Sequence, residues 1–379
     1  MKQTRLWLAA AFTLMLLAAP FGARAAVVTG LYEASVPVPN QSAAARGVAL
    51  QQALAAVLVK ITGERSAASV PALAKLAQDP SQFLQQYRYD QAPAASTTAA
   101  PPVTYYDLTR TGAPAIALTG LLLSAKFDAD LLNQAVRAAN EPLWGAERPA
   151  TLVWLTVIDA SGTHILSAGG NVAVLQALQS AAAQRGVPLT FPSMDAVDQQ
   201  AIGVPDITLG NGARVAAASA RYKPDATLIG STRAAASGTF TAHWQLRAGN
   251  ETAAWNGVPA DLASVAAEGV QVAADDYAKW FAIAPGANGL NGVALSVSGI
   301  TGVTAYAKVL DYLGNLTPVK GVQVARVDGD TVYFSIDTRG SVQNLAQAVR
   351  LGGLLKSAAP AAVTAASAAA ASLQFQYVQ

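Results

Sequence analysis

Residues 142–149, PLWGAERP, lead through Ala150 into residues 151–158, TLVWLTVI. Prolines and a glycine mark the first stretch as a connection, and the second is apolar at nearly every position, which is typical of a strand covered on both faces. We therefore predict that Trp144 and Arg148 form a structural joint. This joint fixes an N-terminal module against a new sheet, which begins with the strand that contains Trp154.

The chain begins with the pattern of a secretory signal peptide. Lys2 and Arg5 form a positive region, residues 6–17 are apolar, and residues 23–25 read Ala-Arg-Ala, a small-residue cleavage site. We expect residues 1–25 to be removed and the protein to be periplasmic. No later uninterrupted apolar run reaches the roughly 18 residues that span a bilayer, so no transmembrane segment is expected after cleavage.

The charge and the cysteine content limit the classes of function that are possible. Removal of the signal takes three of the 25 basic residues and none of the 23 acidic ones, which leaves a net charge of −1. The remaining Lys and Arg residues are not clustered, so nucleic acid is not an expected partner. The chain has no cysteine, which excludes thiol catalysis, thiolate metal sites and disulfides.

After the signal, the pattern predicts a mixed α/β (α+β) protein of three small modules. The predicted boundaries are an N-terminal mixed α/β module at 26–141, a central α/β domain at 142–284, a Gly- and Asn-rich linker at 285–292, and a C-terminal module at 293–379. The central domain is predicted to hold a mixed sheet with helices. The last module has the order β-α-β-β-α-β, which is ferredoxin-like.

The first module contains the clearest helix and a pair of tyrosines. Ser42 is a helix cap, an apolar stripe follows it at helical spacing, and Gly63 ends the helix. Downstream, Tyr87 and Tyr89 fall on one face of a predicted strand. They are candidates for stacking on a ligand, and the alternative is a strand that covers the edge of a core.

Several short blocks together resemble a known family. They are residues 31–33 (LYE), 36–38 (VPV), 57–63 (VLVKITG), 85–89 (QQYRY), 142–145 (PLWG), 148–149 (RP) and 153–155 (VWL). On these blocks the chain resembles an exported Gram-negative family catalogued as domain of unknown function twenty sixty-six. That family has no established activity, substrate or catalytic residues, so the resemblance implies no functional site.

Few residues are suited to catalysis or metal binding. His164 and His243 are the two histidines, predicted on a loop and on a strand, and neither has a second ligand at zinc-site spacing. His164 with Ser161 or Ser167 is the one local pairing that suits a hydrolase, although a turn explains the same residues. We predict no catalytic, cofactor-binding or metal-binding residues.

The composition therefore favours a protein that acts by binding. We predict a non-catalytic protein-interaction or scaffold component of the cell envelope, because the edge strands of open sheets can pair with strands of a partner. The candidate residues for an interaction or a structural joint are Tyr87, Tyr89, Trp144, Arg148 and Trp154. Two alternatives remain open: a cell-envelope hydrolase that uses His164, and a small-ligand-binding protein. The sequence names neither the partner nor the oligomeric state.

Overall fold

The computed structural model describes residues 28–91, 120–160, 162–358 and 373–378. The predicted signal peptide, residues 1–25, lies outside these residues. The described chain forms three sheets with helices packed on them, and each sheet has its own hydrophobic core. The predicted mixed α/β class with several small modules is therefore confirmed.

The first module is a three-stranded antiparallel sheet in the order β1-β3-β2, with α1 packed on it. Its elements are β1 (Glu33–Val38), α1 (Ala43–Thr62), a 3-10 turn (Ala67–Ser69), α2 (Pro71–Gln78), a second 3-10 turn (Pro80–Gln82), β2 (Leu84–Gln91), β3 (Leu121–Phe127) and α3 (Ala129–Ala138). The ends of α1 are as predicted. Ser42 Oγ accepts a hydrogen bond from the amide of Ala45, and Gly63 adopts the left-handed conformation with φ of 75°.

Helix α1 is a core helix. Among the described residues, it is the one helix long and apolar enough to cross a membrane by length and composition alone. Its stripe of Leu54, Val57, Leu58 and Ile61 is nevertheless fully buried against the sheet of the first module. This packing gives the apolar stripe a partner inside the protein.

The central module is a mixed sheet in the order β5-β4-β7-β8-β9, with β6 beside β4. Its elements are β4 (Thr151–Asp159), β5 (Gly162–Ile165), α4 (Val172–Arg185), β6 (Leu189–Thr190), α5 (Ala196–Ala201), α6 (Val204–Thr208), α7 (Gly212–Ser219), a 3-10 turn (Ala220–Tyr222), β7 (Ala226–Ala234), β8 (Phe240–Ala248), β9 (Glu251–Ala260) and α8 (Leu262–Phe281). Strand β4 runs parallel to β6 and β7, and β7, β8 and β9 form antiparallel hairpins.

The two faces of the central sheet are covered unequally. Helices α4 and α8 cover one face along most of its width. On the opposite face, residues of α6 and α7 and the start of the loop after α5 pack against β4 and β7. Strand β4 is therefore buried on both sides, as predicted. The outer face of β8 and β9 carries exposed residues.

The C-terminal module is a five-stranded sheet in the order β11-β12-β10-β14-β13. Its elements are β10 (Val293–Ser298), α9 (Val303–Asn315), β11 (Val319–Asp328), β12 (Thr331–Thr338), α10 (Val342–Leu351), β13 (Leu355–Ser357) and β14 (Leu373–Tyr377). The predicted order β-α-β-β-α is present. The end of the module differs from the prediction, because β13 comes before the closing strand and β14 runs parallel to β10. A strand of three residues is too short to give a periodic signal.

Candidate functional site

The joint lies where the three modules meet. The amide of Trp144 donates to the carbonyl oxygen of Ile61, near the end of α1, at 2.6 Å. The indole ring is buried, and its centroid lies 6.2 Å from that of Tyr277 on α8. The preceding residue, Leu143, forms a two-way backbone bridge with Ile283. Trp144 and its neighbour therefore contact both the first and the central module.

Arg148 is a fully buried cation at the centre of the joint. Its guanidinium donates to four backbone carbonyl oxygens: Gly145 at 2.8 Å, Arg185 at 2.6 Å, Lys60 at 2.6 Å and Trp144 at 3.0 Å. Its Cζ also lies 3.7 Å from the centroid of the Trp144 ring. Within the described residues its guanidinium forms no ion pair with a carboxylate.

The acceptors explain how this charge is tolerated. Lys60 and Arg185 lie in the last turns of α1 and α4, where backbone carbonyls lack partners within the helix and carry the negative end of the helix dipole. Arg148 thus caps one helix of the first module and one of the central module. Burial lowers the pKa of Arg148 to about 9, so the guanidinium remains charged at neutral pH.

A second arginine extends the joint toward α8. Arg185 is almost fully buried, donates to the carbonyl oxygen of Gly63 at 2.6 Å and pairs with Asp275 at 2.7 Å. Burial lowers the pKa of Arg185, and Asp275 opposes this shift. Asp275 also pairs with Arg65 of the first module at 2.8 Å, and Arg65 pairs with Glu268 at 2.9 Å. The seam between the two modules is therefore held by charge pairs as well as by caps.

The structure brings together only part of the predicted candidate set. Trp144 and Arg148 are in contact, whereas Trp154 belongs to the core on the other face of β4. The indole nitrogen of Trp154 donates to Ser219 Oγ at 2.9 Å, and its ring packs edge-on against Tyr222. Trp154 thus anchors the covering helices to the sheet. Any role of the set in binding a partner stays a prediction.

Tyr87 and Tyr89 lie together on the edge strand of the first sheet. Their rings meet edge-to-face with centroids 6.0 Å apart, and they stand opposite Ala125 and Leu123 on the face that packs against α1. Tyr89 is half-buried and Tyr87 is 42% exposed, with the guanidinium of Arg46 lying 5.6 Å from its ring centroid. This is the geometry of a strand that covers the edge of a core.

The two histidines are far apart in the central sheet. His164 lies on β5, where a loop was predicted, because residues 162–165 pair with the end of β4. It is exposed, its ring makes no hydrogen bond within the described residues, and its predicted partner Ser161 lies outside them. His243 lies on β8 as predicted. No group of three or more His, Cys, Asp or Glu side chains in the described chain is placed to hold a metal ion.

One polar site was not foreseen from the sequence. A shallow depression of about 350 Å³ lies on the open face of β7, β8 and β9, with Arg233, His243 and Asn256 among its lining residues. His243 Nδ1 lies 3.0 Å from Asn256 Oδ1. These residues come from three strands, and their alternation along each strand is the only signal of a shared face. Because strand register is not readable from the sequence, the site emerges only from the fold.

Fold and sites together define a mixed α/β protein of three small modules held by a buried joint. Residues 25–145 match the model of a family described as Domain of unknown function (DUF8605). This match covers the first module and ends inside the joint. No curated protein matches the chain, and no solved structure matches it.

The family match corrects one prediction. The chain was expected to resemble domain of unknown function twenty sixty-six, and the family found is a different one. The blocks that suggested the resemblance are short, of two to seven residues each, and so carry little signal that is specific to one family. Export, which the resemblance would have supported, stays a prediction.

Proposed function

We propose that the protein is a non-catalytic protein-interaction or scaffold component of the cell envelope. In this proposal it is exported to the periplasm through residues 1–25, and it binds an extended segment of an envelope protein along β9. The observation that carries the proposal is the character of β9 as an open edge strand. Unpaired backbone groups at a sheet edge can hydrogen-bond to an added strand.

Strand β9 is long and has few features that prevent pairing with another strand. It has ten residues, and within the described residues it pairs only with β8. Its one charged residue is Glu251 at the start, and Val258 is 76% exposed. Natural edge strands are commonly blunted with lysines, prolines, charges pointing inward, or bulges. Strand β9 has two such devices, Pro259 and a register irregularity, and both lie beyond Gly257 near its end.

The edge strand of the C-terminal sheet, β11, is better protected against strand addition. Strand β11 also has ten residues, but it carries Lys320, Arg326 and Asp328 and has two register irregularities. These features oppose strand addition. The contrast between two edges of equal length favours β9 as the binding edge.

Site-specific photocrosslinking in intact cells tests the proposal. A photoreactive amino acid replaces Ala254, which is exposed in the middle of β9. The same residue at Val324, which is 39% exposed on β11, serves as the matched control. We expect a reproducible crosslinked envelope protein at position 254 and none at 324. Equal products at both positions, or none at either, would refute strand addition at β9.

A further inference from the structure

The depression on the open face of the central sheet is built from rows of directly opposed residues. Ser231 of β7, His243 of β8 and Asn256 of β9 stand opposite one another. In the next row Arg233 faces Thr241. Beyond Thr241 the register of β9 shifts by one residue. Such a bulge re-aims side chains, and bulges are frequent beside binding sites.

The face around the depression is positive. Side chains alternate along a strand, so Arg233 and His243 share this face with Arg247, which lies on β8 four residues beyond His243. The positions of β7, β8 and β9 that share this face carry no Asp or Glu. Arg233 is exposed, and its guanidinium makes no ion pair or hydrogen bond within the described chain. A negatively charged ligand is therefore favoured on this face.

The hydrogen bond to Asn256 orients the His243 ring. An amide oxygen only accepts, so the contact of His243 Nδ1 with Asn256 Oδ1 makes Nδ1 the donor. Nε2 is then left without a partner among the described residues. In this tautomer Nε2 is an acceptor, and the Thr241 hydroxyl donates to the carbonyl oxygen of Arg233. The donors that the depression offers to a ligand are therefore the Arg233 guanidinium and the Ser231 hydroxyl.

We propose that this depression binds the carboxylate group of an acidic peptide, with Arg233 as the principal donor, Ser231 as the second and His243 as a neighbour that reports binding. The donors here are all side chains, because the backbone amides of β7 and β8 are used in the sheet. Phosphate sites typically add a nest of backbone amides, which a sheet face lacks. A guanidinium pairs a two-oxygen carboxylate in a bidentate geometry. This binding site is separate from strand addition at β9, and each of the two proposals can be correct without the other.

Nuclear magnetic resonance of the two histidine rings tests the proposal on the purified full chain. The probes are a capped Glu-Glu-Glu peptide, a capped Gln-Gln-Gln peptide and inorganic phosphate. We expect the Glu peptide to shift the ring signals of His243 in a saturable way while those of His164, on β5, do not move. Gln peptide and phosphate should produce little change at the same concentration.

Charge-removing variants complete the test. Arg233→Gln should weaken binding of the Glu peptide about ten-fold, the loss expected for one charge-assisted hydrogen-bond pair. Arg350→Gln removes an exposed arginine on α10 and should leave binding unchanged. Arg233 is exposed, so we expect the melting curve of Arg233→Gln to match that of the native protein. A matching curve shows that the variant folds. Equal shifts of both histidines, equal binding of phosphate or full affinity in Arg233→Gln would overturn the proposal.

Discussion

At the scale of single residues, Arg148 shows how a buried charge is accommodated without a carboxylate. Burying an unpaired cation is costly, and hydrogen bonds that saturate it reduce that cost. Arg148 meets four carbonyl oxygens, and two of them belong to helix ends with negative dipole character. A lysine at this position would be a poorer fit, because it lacks the planar fork with five donors.

Lys60 should have an unusually low pKa as a neighbour of Arg148. Its ammonium group donates to the carbonyl oxygen of Glu33 at 2.7 Å. Burial, followed by repulsion from Arg148, lowers its pKa from 10.5 to about 8. We expect a titration of the lysine ε-methylene carbons by nuclear magnetic resonance to show one lysine near this value. In Arg148→Met its pKa should move upward, and a Lys60 signal that titrates near 10.5 in the native protein would contradict the packing described.

The lowered pKa of Lys60 also predicts how the free energy of unfolding changes with pH. Between pH 8 and 10.5 the unfolded chain holds a proton on Lys60 that the folded chain has released, so stability rises with pH across this window. This gain in the free energy of unfolding is complete above pH 10.5 and is lost as pH falls through about 8. The gain amounts to at most roughly 3 kcal/mol. In denaturant titrations, Lys60→Met should show a smaller rise than the native protein between pH 8 and 9, below the lowered pKa of Arg148, and a rise of equal size in the variant over that interval would assign it to other groups.

At the scale of elements, local chemistry was the part that the sequence predicted well. Ser42 and Gly63 delimit α1 because a hydroxyl cap and a left-handed glycine act on their immediate neighbours. The turn between β8 and β9 is equally local, because it depends on Gly249, whose φ is 62°. Helices α5 and α6 were not predicted, since six and five residues are too few for an apolar stripe.

Contacts between elements were harder to foresee. The carbonyl oxygens that hold Arg148 come from Lys60 and Arg185, and any residue type supplies a carbonyl. The sequence therefore suggested a joint at Trp144 and Arg148 without indicating what they would bind. The same limit applies to Arg233, whose neighbours on the open face are set by strand register alone.

The C-terminal end of α1 should be sensitive to a single added methyl group. Gly63 has a positive φ, and a Cβ built there would lie 2.3 Å from Cβ of Ala278 on α8. We expect Gly63→Ala to lower the free energy of unfolding by about 2–4 kcal/mol, from left-handed strain and overpacking together. Equilibrium denaturant unfolding measures the loss.

Gly47, within the same helix, provides the matched control. A Cβ at Gly47 would meet nothing within 4 Å. Gly47→Ala should therefore stabilise the protein by about 0.5–1 kcal/mol, since alanine favours the helix interior. If Gly63→Ala were as well tolerated as Gly47→Ala, the close packing of α1 against α8 would be wrong.

At the scale of the whole molecule, residues 142–149 connect all three modules. The first and central modules meet through Trp144 and Arg148, as described. The third module joins at Thr317, whose amide donates to the Glu147 carboxylate at 3.0 Å. Gly145 is required there, because a Cβ would lie 2.1 Å from Thr317 Oγ1. A short connection thus organises the arrangement of the modules.

The most direct test of this account is calorimetric unfolding of Arg148→Met. The substitution keeps an unbranched apolar chain and removes every hydrogen bond to the helix ends, so buried carbonyls lose their partners. Arg88→Met, at an arginine whose side chain is 73% exposed, is the matched control and should melt like the native protein. We predict that Arg148→Met melts at a lower temperature, with the first module separating from a later transition of the rest. A single transition at the native temperature would contradict the claim that Arg148 holds the modules together.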